Sequence, residues 1–222
     1  MPSPSIREFA ERAVDPNVVG FLHLPETSNS DALVLTHGAG GNAQAPLLRA
    51  LAETFAAAGF TVLRCNLPYR QARSVGPPGR GDAARDRAGL KIAISAMRSM
   101  VTGRIFLAGH SYGGRQSSML CAEEPDLVSG LLLLSYPLHP QRRREQQRTQ
   151  HLPDLRTPTL FVHGTRDPFG SIEDLQRAIK MIPAKTKLLT IEGAGHDLGF
   201  KGKAKGEELT QGILSAFSFL SS

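Results

Sequence analysis

The sequence predicts an α/β fold, a three-layer α/β/α sandwich on a mainly parallel sheet of about seven strands. Three observations carry this. Short apolar runs alternate with helical patterns along most of the chain. The runs are apolar at successive positions, as strands covered on both faces are. No repeat or linker divides the 222 residues, so 1–222 reads as one domain with one sizeable core.

Residues 1–18 form a peripheral segment, either an outlying strand or a loose arm. The strand candidates that follow are Gly20–Leu24, Ala32–His37, Phe60–Leu67, Arg104–His110, Gly130–Pro137, Thr159–Gly164 and Lys187–Glu192. Between them, Pro46–Ala58 carries Leu47, Leu48, Leu51 and Phe55 at helical spacing and stops at Gly59. Ala83–Met100 follows a capping Asp82 and shows Leu90, Ile94 and Met97. A helix from Tyr112 to about Glu124 follows the fourth strand. Ser171–Met181 has a serine cap, acids at Glu173 and Asp174 and a stop before Pro183. Glu207–Leu220 carries Leu209, Ile213, Phe217 and Leu220.

Composition excludes several classes. Apolar residues make up 41% and charged residues 21%, the balance of a globular chain. No apolar run approaches the ~20 residues that span a bilayer, and the N-terminus lacks the apolar core of a secretory signal. Cys65 and Cys121 read as buried free thiols in a reducing cytoplasm. The net charge of +6 raises nucleic acid as a partner. The basic residues are dispersed, aromatics are only 6%, and no binding module appears, so nucleic acid is not expected.

Parallel sheets gather their ligand sites at the carboxyl ends of their strands. Gly38-Ala39-Gly40-Gly41 stands there after the second strand candidate, and Pro68-Tyr69-Arg70 after the third. Gly109-His110-Ser111-Tyr112-Gly113 stands between a strand and a helix, the setting of a nucleophile elbow. Asp167 follows the sixth candidate and His196 the seventh. A serine hydroxyl needs a base within hydrogen-bond reach, and His196 lies on a glycine-flanked loop that suits that base. Asp167 would hold the other imidazole nitrogen. Its bland alternative is an Asx-turn aspartate before Pro168. Asp154, Asp174 and Asp197 are weaker partners by position, and His37, His110 and His163 are expected to shape the site.

On Thr36-His37-Gly38-Ala39-Gly40-Gly41, Gly109-His110-Ser111-Tyr112-Gly113-Gly114, His163-Gly164-Thr165-Arg166-Asp167-Pro168-Phe169 and Gly195-His196-Asp197, the chain resembles the α/β-hydrolase superfamily. It looks like the small lidless kind, near dienelactone-hydrolase-like and testis-expressed-protein-like members. The resemblance runs from about Gly20 onward. It implies an α/β-hydrolase fold with minimal lid, residues 138–157 being a short basic loop in its place. It also implies a serine hydrolase acting on a small-molecule ester or related acyl bond through Ser111, His196 and Asp167. The oxyanion donors would be the N–H groups of Tyr112 and Ala39, with Gly40 the alternative to Ala39. No cofactor or metal is expected.

Tyr69, Arg70 and Phe169 are the candidate substrate contacts. Arg142-Arg143-Arg144, Arg148, Arg70, Arg73 and Arg80 suggest a cationic rim for an anionic substrate; a solvated charge run is the bland alternative. A hydrolase-like scaffold that binds without turnover is the rival reading of the whole chain.

Overall fold

In the computed structural model, which describes residues 4–200 and 203–220, the chain begins with two antiparallel strands, β1 (Ser5–Glu11) and β2 (Val18–Leu24). Then come β3 (Ala32–Thr36), α1 (Pro46–Ala57), β4 (Thr61–Cys65), α2 (Pro68–Ala72), α3 (Asp82–Arg98), β5 (Ile105–His110) and α4 (Tyr112–Glu123). The chain closes with β6 (Gly130–Leu134), β7 (Thr159–Gly164), α5 (Ile172–Ile179), β8 (Thr186–Ile191) and α6 (Lys203–Phe217). Residues 1–3 of the expected N-terminal segment, and 221–222, lie outside the described residues.

The sheet has eight strands in the order β1-β2-β4-β3-β5-β6-β7-β8. The pairs from β4 through β8 are all parallel, and β1 and β2 form an antiparallel edge. The strand beyond the expected seven is β1. Its polar Ser5, Arg7, Glu8 and Glu11 suit a strand largely exposed at the edge.

The two-sided burial of the central strands is visible along β5. Leu107 packs with Leu90, Ile94 and Met97 of α3, whereas Phe106 and Ala108 belong to the opposite cluster with α1 and α6. There Phe55, Phe60, Phe106 and Phe217 meet edge to face, with Phe55 and Phe217 centroids 4.9 Å apart.

Three expectations about local structure need correction. The strand expected over Gly130–Pro137 ends at Leu134, because Ser135 turns the chain with φ 49°. The strand expected over Phe60–Leu67 ends at Cys65, and the Pro68-Tyr69-Arg70 loop is the start of α2, where proline tolerates the first helical turn. Asp82 is not the cap of α3. Gly81 holds that place, and Asp82 accepts from the Gly79 N–H at 2.6 Å and pairs with Arg73. Ser171 does cap α5, accepting from the Asp174 N–H at 3.1 Å.

Candidate active site

Ser111 sits between β5 and α4 with φ 51° and ψ −116°, a conformation that L-residues rarely adopt. The turn is tight enough that side chains would not fit around it. A Cβ on Gly109 would lie 2.4 Å from Gly114 N, and one on Gly113 would lie 2.5 Å from His37 O. The strain lifts the serine side chain out of the strand end, and the Ser111 N–H is secured on Leu134 O at 2.8 Å.

His196 Nε2 lies 2.8 Å from Ser111 Oγ, and His196 Nδ1 lies 2.8 Å from Asp167 Oδ2. A carboxylate can only accept, so Nδ1 carries the hydrogen and Nε2 offers its lone pair to the serine hydroxyl. Asp167 is also the Asx-turn residue: its Oδ1 accepts from Phe169 N–H at 2.9 Å. The two readings of this aspartate therefore coexist, one oxygen setting the loop and the other facing the imidazole.

The other histidines frame this array. His110 Nε2 donates to the His196 carbonyl at 2.9 Å, and burial pushes its pKa down. His37 Nδ1 donates to Gly38 O at 2.9 Å while Nε2 accepts from Leu67 N–H at 3.1 Å. That pairing needs the neutral ring, and burial pushes His37 down to about 4. His163 is buried and donates to Gly170 O at 3.0 Å; its Nε2 is 3.8 Å from Asp167 Oδ2, beyond hydrogen bonding.

The Gly38–Gly41 loop lies against the serine, for a Cβ on Gly38 would come within 3.2 Å of Ser111 Cβ. Its carbonyls are held on the far side. Gly38 O accepts from Tyr69 Oη at 3.2 Å and Gly41 N–H at 3.0 Å, and Ala39 O accepts from Tyr69 Oη at 2.9 Å and Arg70 Nη2 at 3.0 Å. Trans peptide geometry sets each N–H opposite its carbonyl, so the Ala39 and Gly40 N–H groups face away from Tyr69 and Arg70. Tyr112 is the first residue of α4, where an N–H has no partner within the helix.

Two expected substrate contacts are corrected here. Tyr69 and Arg70 are buried and do not line the cleft beside Ser111, because their polar groups are spent on backbone carbonyls. Arg70 donates to Gly41 O, Arg73 O, Ala39 O and Gly76 O, between 2.8 and 3.2 Å. Phe169 does line the cleft, its ring centroid 4.4 Å from that of His196. Of the expected cationic rim, Arg142, Arg143 and Arg144 are exposed outside the cleft lining, and Arg73 is paired with Asp82. Arg80 and Arg148 line the cleft.

Sequence reasoning missed Asp86. It is fully buried, accepts from Tyr112 Oη at 2.7 Å and from Tyr69 N–H at 3.0 Å, and so ties α3 to both the elbow and α2. An acid among the apolar residues of a helix is the signal that could have found it. Among the described residues no group of three His, Cys, Asp or Glu is placed to hold a metal. No described helix is long and apolar enough to cross a membrane.

A family model described as an alpha/beta hydrolase domain matches residues 29–221. The chain belongs to the α/β-hydrolase family. Solved structures similar to this α/β-hydrolase include a dienelactone hydrolase from Anabaena variabilis, at 20% identity and TM-score 0.76 over 98% of each chain. An α/β serine hydrolase homologue from Coxiella burnetii aligns at 19% identity and TM-score 0.75, over 95% of this chain and 96% of its own. A lidless α/β serine hydrolase from Xanthomonas campestris aligns at 16% identity and TM-score 0.73, over 96% of this chain and 94% of its own. At these identities the likeness is one of fold.

Proposed function

We propose that this α/β-hydrolase cleaves a carboxylic ester or related acyl bond of a small molecule through an acyl-enzyme on Ser111. The observation that carries the reading is the unbroken chain Asp167 Oδ2, His196 Nδ1, His196 Nε2, Ser111 Oγ, with 2.8 Å at each hydrogen bond. His196 takes the hydroxyl proton as Ser111 Oγ attacks the acyl carbon, and Asp167 stabilises the imidazolium that forms. The Tyr112 and Ala39 N–H groups, with Gly40 beside Ala39, receive the oxyanion. His196 returns the proton to the leaving alcohol. Water, activated by the same imidazole, then releases the acid and restores the serine.

The open cleft of ≈ 880 Å³ supports a small-molecule substrate. About twenty residues, 138–157, stand where a lid domain would in a single 1–222 domain. A cytoplasmic setting is supported by the two buried free cysteines, whose thiol pKa values burial pushes up to about 12.

Labelling with a fluorophosphonate probe tests the proposal, wild type beside Ser111→Ala. Labelling confined to the wild type supports an activated serine. A folded wild type that takes no label would instead indicate a binding scaffold without turnover.

A further inference from the structure

Three residues that line the Ser111 cleft carry hydrogen-bond donors that the protein leaves unpartnered or holds weakly. The first belongs to Arg115. Its Nε is buried with no partner, and among the described residues its guanidinium makes no hydrogen bond or ion pair. The second is Gln116 Nε2, also buried and unpartnered. The orientation of this fully buried amide is set, because its Oε1 accepts from Arg87 Nη1 at 3.1 Å, and only an oxygen can accept there. The third is the guanidinium of Arg148, whose one hydrogen bond among the described residues is a long one, 3.4 Å to Pro137 O.

The arginine on the loop is held for presentation. The Arg148 N–H donates to Leu138 O at 2.8 Å, and its carbonyl accepts from Tyr136 Oη at 2.8 Å, so its backbone is clamped on both sides. His151, further along the same loop, donates from Nε2 to Ser118 Oγ at 2.8 Å, and Ser118 donates in turn to Arg115 O at 2.9 Å. The loop bearing Arg148 is thereby tied to the helical turn bearing Arg115.

No carboxylate compensates these cations: among the described residues no aspartate or glutamate lines the cleft. Arg87, by contrast, is paired with Glu123. Burial, and then the neighbouring Arg115, hold Arg148 below the ordinary arginine range. Burial, Arg115 and Arg87 likewise push His151 down to about 4. Two partly buried like charges beside unpaired donors are costly alone and are relieved by an anion.

We propose that Arg115 and Arg148 bind a carboxylate carried by the ester substrate, at a distance from the scissile bond. This rests on the reading of Ser111 as the nucleophile. Arg115 is one turn along α4 from Ser111, its N–H on Ser111 O at 3.0 Å. A helical turn rises about 5.4 Å, and helix side chains lean toward the N-terminus, here toward the serine. The favoured substrate therefore carries its carboxylate a few bonds from the acyl carbon, as in a half-ester of a short dicarboxylic acid. The planar guanidinium fork suits that group.

The test compares p-nitrophenyl hemiglutarate with its neutral methyl-capped counterpart, on wild type, Arg115→Met, Arg115→Lys and Arg148→Met. Arg143→Met, in the exposed run outside the cleft, is the control. The wild type favours the hemiglutarate. The ratio of kcat/KM for the two esters falls about 10- to 100-fold in Arg115→Met and in Arg148→Met, mainly through KM. Arg115→Lys recovers part of the ratio and Arg143→Met keeps it. A wild type that prefers the neutral ester, or a ratio unmoved in both methionine variants, would overturn the proposal. Calorimetric binding of glutarate alone gives a reading independent of turnover. Glutarate binding that weakens in Arg115→Met supports the anion site even where fluorophosphonate labelling has failed. Binding that is absent, or equal in both proteins, removes the site whether or not Ser111 is labelled.

Discussion

The Tyr69 hydroxyl donates to the Ala39 carbonyl at 2.9 Å, holding the glycine-rich loop from the side opposite the Gly40 N–H. Tyr69→Phe removes this tether and leaves the Arg70 clamp in place. The expected result is a fall in kcat of about 3- to 30-fold with little change in KM, since a mis-set oxyanion donor is felt mainly in the transition state. Arg70→Met strips donors from four carbonyls and lowers stability as well, by about 2–4 kcal/mol. Steady-state kinetics beside urea denaturation separates the two effects.

Asp167→Asn keeps an oxygen for the Phe169 N–H but can present an amide donor to the imidazole, favouring the tautomer with hydrogen on Nε2. We expect kcat/KM to drop by about 10³–10⁴ while the melting temperature stays near wild type. Asp167→Ala also loses the 2.9 Å turn contact and should melt lower, by about 1 kcal/mol. Equal melting of the two variants would contradict the double role of this carboxylate.

Gly113→Ala places a Cβ 2.5 Å from the backbone His37 O and 2.7 Å from Thr36 Cγ2, the methyl of a fully buried side chain. A loss of about 2–4 kcal/mol is expected on chemical denaturation. Gly40→Ala is the control, because nothing lies within 4 Å of its added carbon.

Stability should rise with pH between about 4 and 6.5. His37 is fully buried, and its pKa falls from the ordinary 6.5 to about 4, mainly through desolvation. Between those values the unfolded chain binds the proton that the folded one refuses, so the stabilisation is complete above 6.5 and is lost as pH falls. The stabilisation is on the order of 3 kcal/mol. Urea midpoints at pH 7 and pH 5 read it, and a midpoint that does not fall at pH 5 would exclude a ring held neutral.

Local patterning made most of the scaffold legible. Runs such as Leu131–Leu134 read as buried strand because both of their faces are apolar, and the order of Ser111, Asp167 and His196 could be placed at strand ends once the strands were assigned. Short-range geometry was harder to read. The turn at Ser135 and the α2 helix depend on contacts from β7 and from the Gly38–Gly41 loop, which no window of neighbouring residues contains.

By itself the sequence determined the layered architecture and the placing of Ser111, Asp167 and His196 after strand ends, because periodicity and strand-end position are properties of the chain. Tertiary structure alone decided where the cations point. Arg70 turns inward to carbonyls, Arg142–Arg144 remain outside, and Arg115 and Arg148 converge on the cleft. A side chain's direction follows from the element opposite it, and for Arg148 that is a helix joined to its loop through His151 and Ser118, residues 33 apart in the chain.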